Sequence, residues 1–519
     1  MDFLNCLIGL CFAWITSQVF YHFARRSKAI PRKLLPPGPK PFPLVGNLFE
    51  LGDKPHLSLT NLSKRYGPII SLQLGRLTTV VISSPTLAKE ILRTHDQVFY
   101  NRPIRDATHA CKHNEYSMAW IPVSARWRNL RKICNLKLFS PKVLDANQAN
   151  RRVKVQKLIN NVNESMRAGE AVDIGRAAFT TALNLLSQTI FSVDLADPSS
   201  EAARKFKETV WGVLEETGKP NLADYFPLLR KLDPQGVRRR LTYHHQKMIE
   251  IFDRMIHQRQ ESRKGDNYIT TNDMLETLLN ISKEKMEDID MLETQHLFLP
   301  VSIIDRMGYG FWSLLLDLFA AGTDTSSATL EWAMAELLRN PKILSKAQAE
   351  LQQVIGKGKV VEESDIARLP YLQAIIKETF RVHPTAPLLL PRKAEANIEI
   401  GGYVIPKGAQ VLINVWAIGR DPITWENPNL FKPERFLGLE NQIDVVGKNF
   451  ELIPFGGGRR ICPGLPLAIR MLHLMLGSLI NCFDWNLEDG VVPETMNMAE
   501  KFGLTLQMAQ PLRAVPKKL

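Results

Sequence analysis

The chain lacks the sequence features that define several protein classes. Its six cysteines include no CxxC pair, so a cysteine-rich zinc site is not supported. They are scattered and suggest no dense disulfide framework, which fits a reducing compartment. No internal repeat or low-complexity linker divides the 519 residues. Basic residues do not alternate with aromatic residues as they do in single-strand binders, so we expect no nucleic acid partner.

The composition is that of an ordinary globular protein, with 45% hydrophobic and 23% charged residues. Length alone would suggest about three domains, but one large domain is equally allowed where no linker is found. The formal net charge is +13. This excess either serves solubility alone or indicates an acidic partner or an anionic membrane surface.

The first residues predict a membrane anchor. Residues 3–23 are mostly apolar and would span roughly 30 Å as a helix, the thickness of a bilayer core. Basic residues follow this run between 25 and 33, which would keep the remaining chain cytosolic. A cleaved signal peptide is the weaker alternative, because basic residues do not precede the run. We therefore assign 1–24 to the anchor and 25–47, basic and then proline-rich, to a stiff hinge.

The remaining residues, 48–519, predict one mainly α domain with small β-sheets, an α+β fold. Two strands are expected at 68–75 and 77–84, and a hairpin at 398–406 that turns at its two central glycines. Between about 124 and 380 nearly every segment has helical periodicity.

One short loop carries the strongest functional signal. PFGGGRRICPG, at 454–464, surrounds a single thiol with glycines and arginines, and an apolar helix is predicted to follow it. The helix N-terminus and the charges of Arg459 and Arg460 are expected to lower the pKa of the Cys462 thiol. An anionic sulfur with amide donors and room for a flat group is what a ligand of haem iron requires. The spacing F-x-x-G-x-R-x-C-x-G comprises Phe455, Gly458, Arg460, Cys462 and Gly464.

This loop resembles the haem-binding loop of the cytochromes P-450, the haem-thiolate monooxygenases. The resemblance implies haem b (iron protoporphyrin IX) with Cys462 as axial ligand of the iron. AGTDTS, at 321–326, is similar to the oxygen-activation segment of that family. By resemblance, Asp324 and Thr325 are catalytic and deliver protons to dioxygen, while Ala321 and Gly322 leave space above the iron. Thr325 is expected to bond back to a carbonyl of its own helix.

Further motifs match the family in the same order. Trp127 and Arg131, in WRNLRK, resemble the pair that binds a haem propionate, and Arg392 is the expected second partner.

Glu378 and Arg381, in KETFR, precede Arg435 of FKPERF by about fifty residues. In the family these positions form a buried charge triad behind the haem, which we expect to support the loop of Cys462.

The sequence is most similar to the plant microsomal enzymes of family 76. This implies a monooxygenase of the endoplasmic reticulum membrane, single-pass with a cytosolic catalytic domain. Its electrons would come from NADPH through NADPH–cytochrome P-450 reductase. It would insert one atom of O2 into a small hydrophobic plant metabolite, foremost a monoterpenoid such as geraniol, hydroxylated at C8. By family position, the residues expected to line the substrate pocket are Phe319, Ala320, Leu388, Leu389 and Phe502.

Other functions remain open. A different terpenoid or a small aromatic ether would suit an apolar pocket equally well. An oxygen-independent haem-thiolate isomerase or dehydratase is disfavoured, because such relatives typically lack the pair Asp324–Thr325.

Residues 300–316 depart from the family pattern. They are an insertion before the oxygen-activation segment and include Pro300, Gly308 and Gly310, which are poor helix formers. Either a loop bulges out and the helix restarts near Phe311, or the segment is a gene-model artefact. We favour the artefact or an inactive, poorly folding variant.

Overall fold

The computed structural model describes residues 34–195, 201–265, 268, 270–271, 273–277, 279–280, 303–438 and 443–519. The predicted anchor at 1–24, the basic part of the hinge and residues 300–302 of the insertion lie outside these residues.

Helices make up most of the domain, as predicted. Several begin with a proline in the first turn or with a side-chain cap: Ser124, for example, accepts a hydrogen bond from the Trp127 amide. The helices with described bounds are α1 (Pro55–Tyr66), α2 (Pro85–Lys89), α3 (Asp96–Phe99), α4 (His113–Tyr116), α5 (Ala125–Ile133), α6 (Pro141–Ala146), α7 (Gln148–Ala168), α8 (Ile174–Phe191), α9 (Glu201–Gly218), α10 (Leu222–Tyr225), α11 (Val237–Ser262), α12 (Ile303–Arg339), α13 (Pro341–Val354), α14 (Pro370–Val382), α15 (Val415–Ile418) and α16 (Leu465–Cys482).

The strands form small sheets at the sides of the helical body. The largest has the order β1-β2-β7-β4, with β2 and β7 parallel; a second has the order β3-β11-β8, and β9-β10 and β5-β6 form antiparallel pairs. The strands are β1 (Ile69–Leu74), β2 (Leu77–Ile82), β3 (Val172–Asp173), β4 (Arg392–Lys393), β5 (Ile398–Ile400), β6 (Tyr403–Ile405), β7 (Gln410–Ile413), β8 (Phe483–Leu487), β9 (Glu500–Lys501), β10 (Gln507–Met508) and β11 (Arg513–Lys518). The predicted hairpin turns at Gly401 and Gly402, both with positive φ.

Helix α12 is the centre of the core and corrects one expectation. It runs from Ile303 through Gly308 and Gly310 without a break, so the predicted restart near Phe311 is wrong. Buried packing outweighs the weak helix propensity of the glycines: Phe311 and Trp312 are buried, and Trp312 stacks on Phe252 of α11 at 6.4 Å. The second half of the insertion is therefore part of the core.

Helix α16 is long and apolar enough to cross a membrane by composition alone. Two thirds of it is buried inside the protein, with Met475 and Ile480 inaccessible to solvent. It packs against α12, α14 and α7. We therefore regard it as a core helix, and it presents its N-terminus to the cysteine loop.

Candidate active site

The loop of Cys462 is closed by backbone bonds and held tightly against its surroundings. The Cys462 amide donates to the Phe455 carbonyl at 3.0 Å. Gly458 has φ +68°, and a Cβ there would lie 2.0 Å from the Leu92 carbonyl oxygen, so a glycine is required. The Phe455 ring meets Phe380 of α14 edge-on at 5.1 Å. The loop thus presents its sulfur from a rigid support.

Cys462 lies three residues before Leu465, the first residue of α16. The thiol lies deep in the molecule, yet the residue is only partly covered, so it borders an internal space. Burial raises the pKa of the Cys462 thiol, and this outweighs the lowering by the amides of Gly464 and Leu465 and by Arg131.

The expected lowering of that pKa is therefore wrong for the free thiol. Arg459, expected to contribute, is instead exposed and paired with Asp96 at 2.6 Å. A thiolate at this position needs a metal cation at the sulfur, because a coordinating thiol is deprotonated outright.

Three buried arginines converge near this loop without a carboxylate partner. Arg102, Arg392 and Arg460 are each at least nine-tenths buried and donate to backbone carbonyls. Their acceptors are Leu390 and Pro391 for Arg102, Phe99 and Gly457 for Arg392, and Tyr100, Met118, Ala119 and Ile121 for Arg460.

The electrostatics of these three arginines, which we call the anion site, favour a bound anion. Burial lowers the pKa of Arg392 and of Arg460 to about 10, and that of Arg102 well below its usual value. Repulsion from neighbouring arginines adds to the lowering for Arg102 and Arg460, whereas Asp96 partly opposes it for Arg392. The Nε of Arg102 is buried without a hydrogen-bond partner. Buried guanidinium groups of this kind fit paired carboxylates such as the two propionates of a haem.

Arg102 was missed by the sequence reasoning. The available signal was its place in NRPI, at 101–104. It directly precedes a proline there and has no acidic residue within three positions on either side.

The structure places Trp127 and Arg131 on the inner face of α5. Arg131 is close enough for its charge to act on the pKa of Cys462. The Trp127 indole donates to the Met118 carbonyl at 3.2 Å, and its ring lies under the Arg460 guanidinium. Trp127 thus orients an arginine of the anion site while bonding to the backbone itself.

The expected charge triad is assembled. Arg381 binds both oxygens of Glu378 at 2.7 Å, and Arg435 donates to one of them at 3.0 Å. Glu378 and Arg381 are buried completely. The guanidinium groups also donate to carbonyls of residues 419–430, which joins α14 to the segment ahead of the cysteine loop.

The oxygen-activation segment lies in the middle of α12. Thr325 donates to the Ala321 carbonyl at 2.6 Å, the bond expected from its sequence. Ala321 is exposed although it lies mid-helix in the core, so open space adjoins it. A Cβ at Gly322 would lie 2.8 Å from Leu186 of α8. The glycine therefore allows close helix packing, and the expectation that it leaves space above the iron is corrected.

Asp324 is turned toward the sheet side of α12. It is 3% exposed and accepts hydrogen bonds from Thr505 and from Gln507, the latter at 2.7 Å. Burial raises the pKa of the Asp324 carboxyl, which these two donors partly offset. No sequence motif indicates this pairing, because the two partners follow Asp324 by 181 and 183 residues.

The expected pocket residues divide into two groups. Phe319 is inaccessible and packs among Phe191, Phe206 and Phe252, so its expected place in the pocket is wrong. Its ring completes the contact between α12 and the helices α8, α9 and α11.

The other expected residues are partly accessible. Ala320 precedes the exposed Ala321, and Leu389 lies 3.8 Å from the position of a Cβ on Gly456 in the cysteine loop. Leu388 packs on the cluster of β1 and β2, while Phe502 stacks on His56 at 5.5 Å.

These features together fit a haem. The protein supplies three features that a haem site requires. They are a recessed sulfur close to a helix N-terminus, three buried arginines that are not paired with a carboxylate, and an open helix face at Ala321. No group of three or more metal-ligating side chains occurs among the described residues.

Comparison with known proteins agrees with this geometry. Residues 36–512 match the family described as Cytochrome P450. The chain is 53% identical to Geraniol 8-hydroxylase of Swertia mussotii, covering 100% of this chain and 99% of that protein. It is 52% identical to Geraniol 8-hydroxylase of Catharanthus roseus, with 100% of both covered. It is 49% identical to Drimenol monooxygenase of Persicaria hydropiper, covering 100% of this chain and 98% of that protein.

A solved structure of a zebrafish cytochrome P450 with progesterone superposes with a TM-score of 0.73 at 25% identity. It covers 89% of this chain and 99% of that one. The family match covers most of the chain, and its relatives are about 50% identical to it in sequence. The chain therefore belongs to the cytochrome P450 family and is a haem-containing monooxygenase.

Proposed function

We propose that this enzyme hydroxylates a monoterpenoid alcohol such as geraniol, at C8. The observation that carries the proposal is the full-length identity of 53% and 52% to two geraniol 8-hydroxylases. The partly accessible residues near the site, Ala320, Ala321, Leu389 and Phe502, are apolar. An apolar lining selects a small hydrophobic substrate by shape and burial rather than by charge.

The haem, when bound, supplies the activation of dioxygen. In our proposal the Cys462 sulfur would bind its iron, and Arg102, Arg392 and Arg460 would bind its propionates. The amides of Gly464 and Leu465 orient toward the sulfur and reduce its electron density.

Thr325 and Asp324 provide the proton chemistry beside the haem. The Thr325 hydroxyl is held by the Ala321 carbonyl, next to the open space that adjoins Ala321. Asp324 holds a proton more readily than an exposed carboxyl does, since burial raises its pKa. Thr325 and Asp324 would therefore provide a proton donor next to the open space at Ala321, where the surrounding apolar residues exclude most water.

Electrons are proposed to arrive from NADPH through NADPH–cytochrome P450 reductase. Arg128 and Lys132 are exposed on the outer face of α5, while Arg131 points inward to Cys462. A basic outer face beside the sulfur suits an acidic flavoprotein. Lys132→Glu should raise the apparent KM for the reductase; an unchanged value would contradict this docking face.

The enzyme is further proposed to reside in the endoplasmic reticulum membrane through the anchor at 1–24, with its catalytic domain in the cytosol. The membrane location is supported by an apolar surface that forms where the hinge joins the catalytic domain. The Gly75 amide donates to the Val45 carbonyl and the Arg76 amide to the Tyr225 carbonyl, which unites three segments on one side. Large exposed apolar side chains of these segments are Phe42, Phe49, Leu228 and Leu232.

The substrate proposal is tested in microsomes that contain the full chain and a plant reductase. Geraniol, drimenol and progesterone are supplied separately with NADPH, and the products are identified by mass spectrometry. We expect geraniol to give the C8 alcohol at the highest rate. Exclusive oxidation of drimenol, or no NADPH-dependent product from geraniol, would refute the monoterpenoid assignment.

A further inference from the structure

A second buried carboxylate lies on the same face of α12 as Asp324. Glu331 follows Asp324 by seven residues, about two turns and roughly 10 Å along the axis. Ser327 lies between them on that face, and its hydroxyl donates to the Asp324 carbonyl at 3.0 Å. The three side chains are 3%, 5% and 7% exposed in chain order. A polar stripe of this kind inside a core requires a structural or chemical reason.

The neighbours of Glu331 leave its charge without a counter-ion. Its Oε1 accepts from the Leu512 amide at 2.9 Å. The charged groups that act on it are Asp173, ahead of α8, and Asp324 on its own helix; both are acidic. Burial, with a smaller contribution from these two carboxylates, raises the pKa of Glu331 to about 7, and the Leu512 amide opposes the shift. Glu331 thus exchanges a proton near neutral pH.

Glu331 lies against the start of α8, where Gly175 and Asp173 are themselves only half-buried. A Cβ on Gly175 would lie 2.8 Å from the carboxyl carbon and Oε1 of Glu331, and 3.0 Å from Oε2. A side chain at position 175 would therefore collide with the carboxyl, whereas the backbone of Gly175, a half-buried residue in the first turn of α8, packs directly against it. Asp173, also half-buried, lies beside it at the start of the helix.

The residues 505–512 connect the two carboxylates structurally. Thr505 and Gln507 bind Asp324, and Leu512 binds Glu331, so this segment runs along α12 between them. The Trp332 indole fixes the segment by donating to the Leu506 carbonyl at 3.1 Å. Both carboxylates are thereby held on one rigid face, one next to Thr325 and the other next to Gly175.

We propose that Glu331 is a positioning residue for proton supply, which restores to Asp324 the proton that Asp324 gives up in the reaction. The inference rests on the proposed role of Asp324. A monooxygenase consumes two protons for each oxygen atom that it inserts, so its donor must be reprotonated in every cycle. Because roughly 10 Å separates the two residues along the helix, the proton passes in steps through water and the Ser327 hydroxyl. Each carrier gives up one O–H bond as it forms another: the first accepts the proton of Glu331 and the last donates one to Asp324. Water from the solvent then returns a proton to Glu331 at the Gly175 end, and no electron moves.

The alternative is that Glu331 only binds the Leu512 amide. Glu331→Gln separates the two roles, because the amide oxygen still accepts that bond but the side chain no longer exchanges a proton. The full-length holoenzyme is assayed with reductase and any substrate that it turns over. We expect product per NADPH to fall severalfold, with a matching rise in peroxide, short of the roughly 10²-fold loss typical for a direct proton donor.

The pH profile gives a second readout that a structural role would not move. Glu331 is protonated below about pH 7 and loses its proton above it. Coupling in the wild type should therefore fall as the pH rises through about 7, and in Glu331→Gln it should be flat over this range. An infrared carbonyl band of a protonated carboxyl that disappears over the same range, and is missing in the variant, would locate the proton without turnover.

Two further variants keep the test decisive. Gly175→Ala places a methyl group against the Glu331 carboxyl and should reduce coupling in the same direction even if Glu331→Gln folds poorly. Glu336→Gln is the matched control, since Glu336 is equally buried on α12 but binds His383 at 2.7 Å.

Wild-type coupling in both Glu331→Gln and Gly175→Ala, or an equal loss in Glu336→Gln, would overturn the proposal. Failure of geraniol as a substrate would not affect this test, because coupling is measured with whichever substrate is oxidised. A chain that oxidises no substrate would instead refute the proposed function.

Discussion

Replacing Glu378 with glutamine tests whether the charge triad supports the site. The carboxylate is inaccessible to solvent and accepts from Arg381 twice, from Arg435 and from the Lys432 amide. A glutamine amide carries no negative charge and has one acceptor oxygen in place of two, so it cannot neutralise the two guanidinium groups. The variant therefore leaves two buried cations without compensation, which typically costs about 3–5 kcal/mol.

That loss of unfolding free energy should be measurable as a lower melting temperature, even in a protein this large. Unfolding entropy is about 2.1 cal/mol/K per residue, so each kcal/mol shifts the melting temperature by roughly 1 °C here. We expect Glu378→Gln to melt about 3–5 °C below the wild type. We also expect it to retain less haem, because Arg381 and Arg435 organise the segment before the cysteine loop.

The assay is thermal unfolding by circular dichroism, together with haem content per purified chain. The matched control is Glu488→Gln, which breaks a two-bond pair with Arg513 that is partly exposed at the surface. Surface pairs of this kind contribute little, so its midpoint and haem content should not change. If Glu378→Gln melted at the wild-type temperature with full haem, the triad would not have the supporting role assigned to it.

Three further predictions follow from the site. Thr325→Ala should bind haem normally but divert electrons to peroxide, measured as peroxide per NADPH; full coupling would contradict its proton role. Arg102→Gln should lose haem during gel filtration, because one buried cation of the anion site is removed, whereas Arg459→Gln, which alters an exposed pair, should retain it. The chain with residues 300–316 should incorporate haem, because Phe311 and Trp312 lie in the core; haem that is incorporated only after deletion of 300–316 would show that the segment disables the protein.

Residues in short motifs with local geometry could be predicted from sequence. The spacing around Cys462 fixes a tight loop ahead of a helix, and the Thr325 hydroxyl bonds one turn back on its own helix. Glu378 and Arg381 are likewise three apart on one helix face, so only Arg435 required a contact distant in sequence. The mainly α fold with small sheets, also predicted, follows from periodicity that each segment carries by itself.

Properties that depend on packing between distant segments could not be predicted. Phe319 was expected in the pocket from its place near the motif, but aromatic rings of three other helices enclose it. Gly322 accommodates Leu186, a contact that nothing in its own helix indicates. The pKa of Cys462 depends on the depth of burial, which outweighs the local helix N-terminus.

Helix α12 is a second case in which packing between distant segments could not be predicted from the sequence. The glycines at 308 and 310 predict a break, yet the helix continues through both. Apolar residues directly after them gain more from burial against α8 and α11 than the glycines cost in helix propensity, about 1 kcal/mol each. Propensity alone cannot reveal that gain.

The central claim is that the Cys462 sulfur is the anionic axial ligand of a haem iron. The most direct measurement is the absorption spectrum of the reduced, carbon-monoxide-bound protein, recorded for the full chain and for Cys462→Ala. We predict the thiolate-type Soret band in the full chain and its complete loss in the variant. A band typical of a neutral thiol or an imidazole ligand in the full chain, or an unchanged band in Cys462→Ala, would contradict the account.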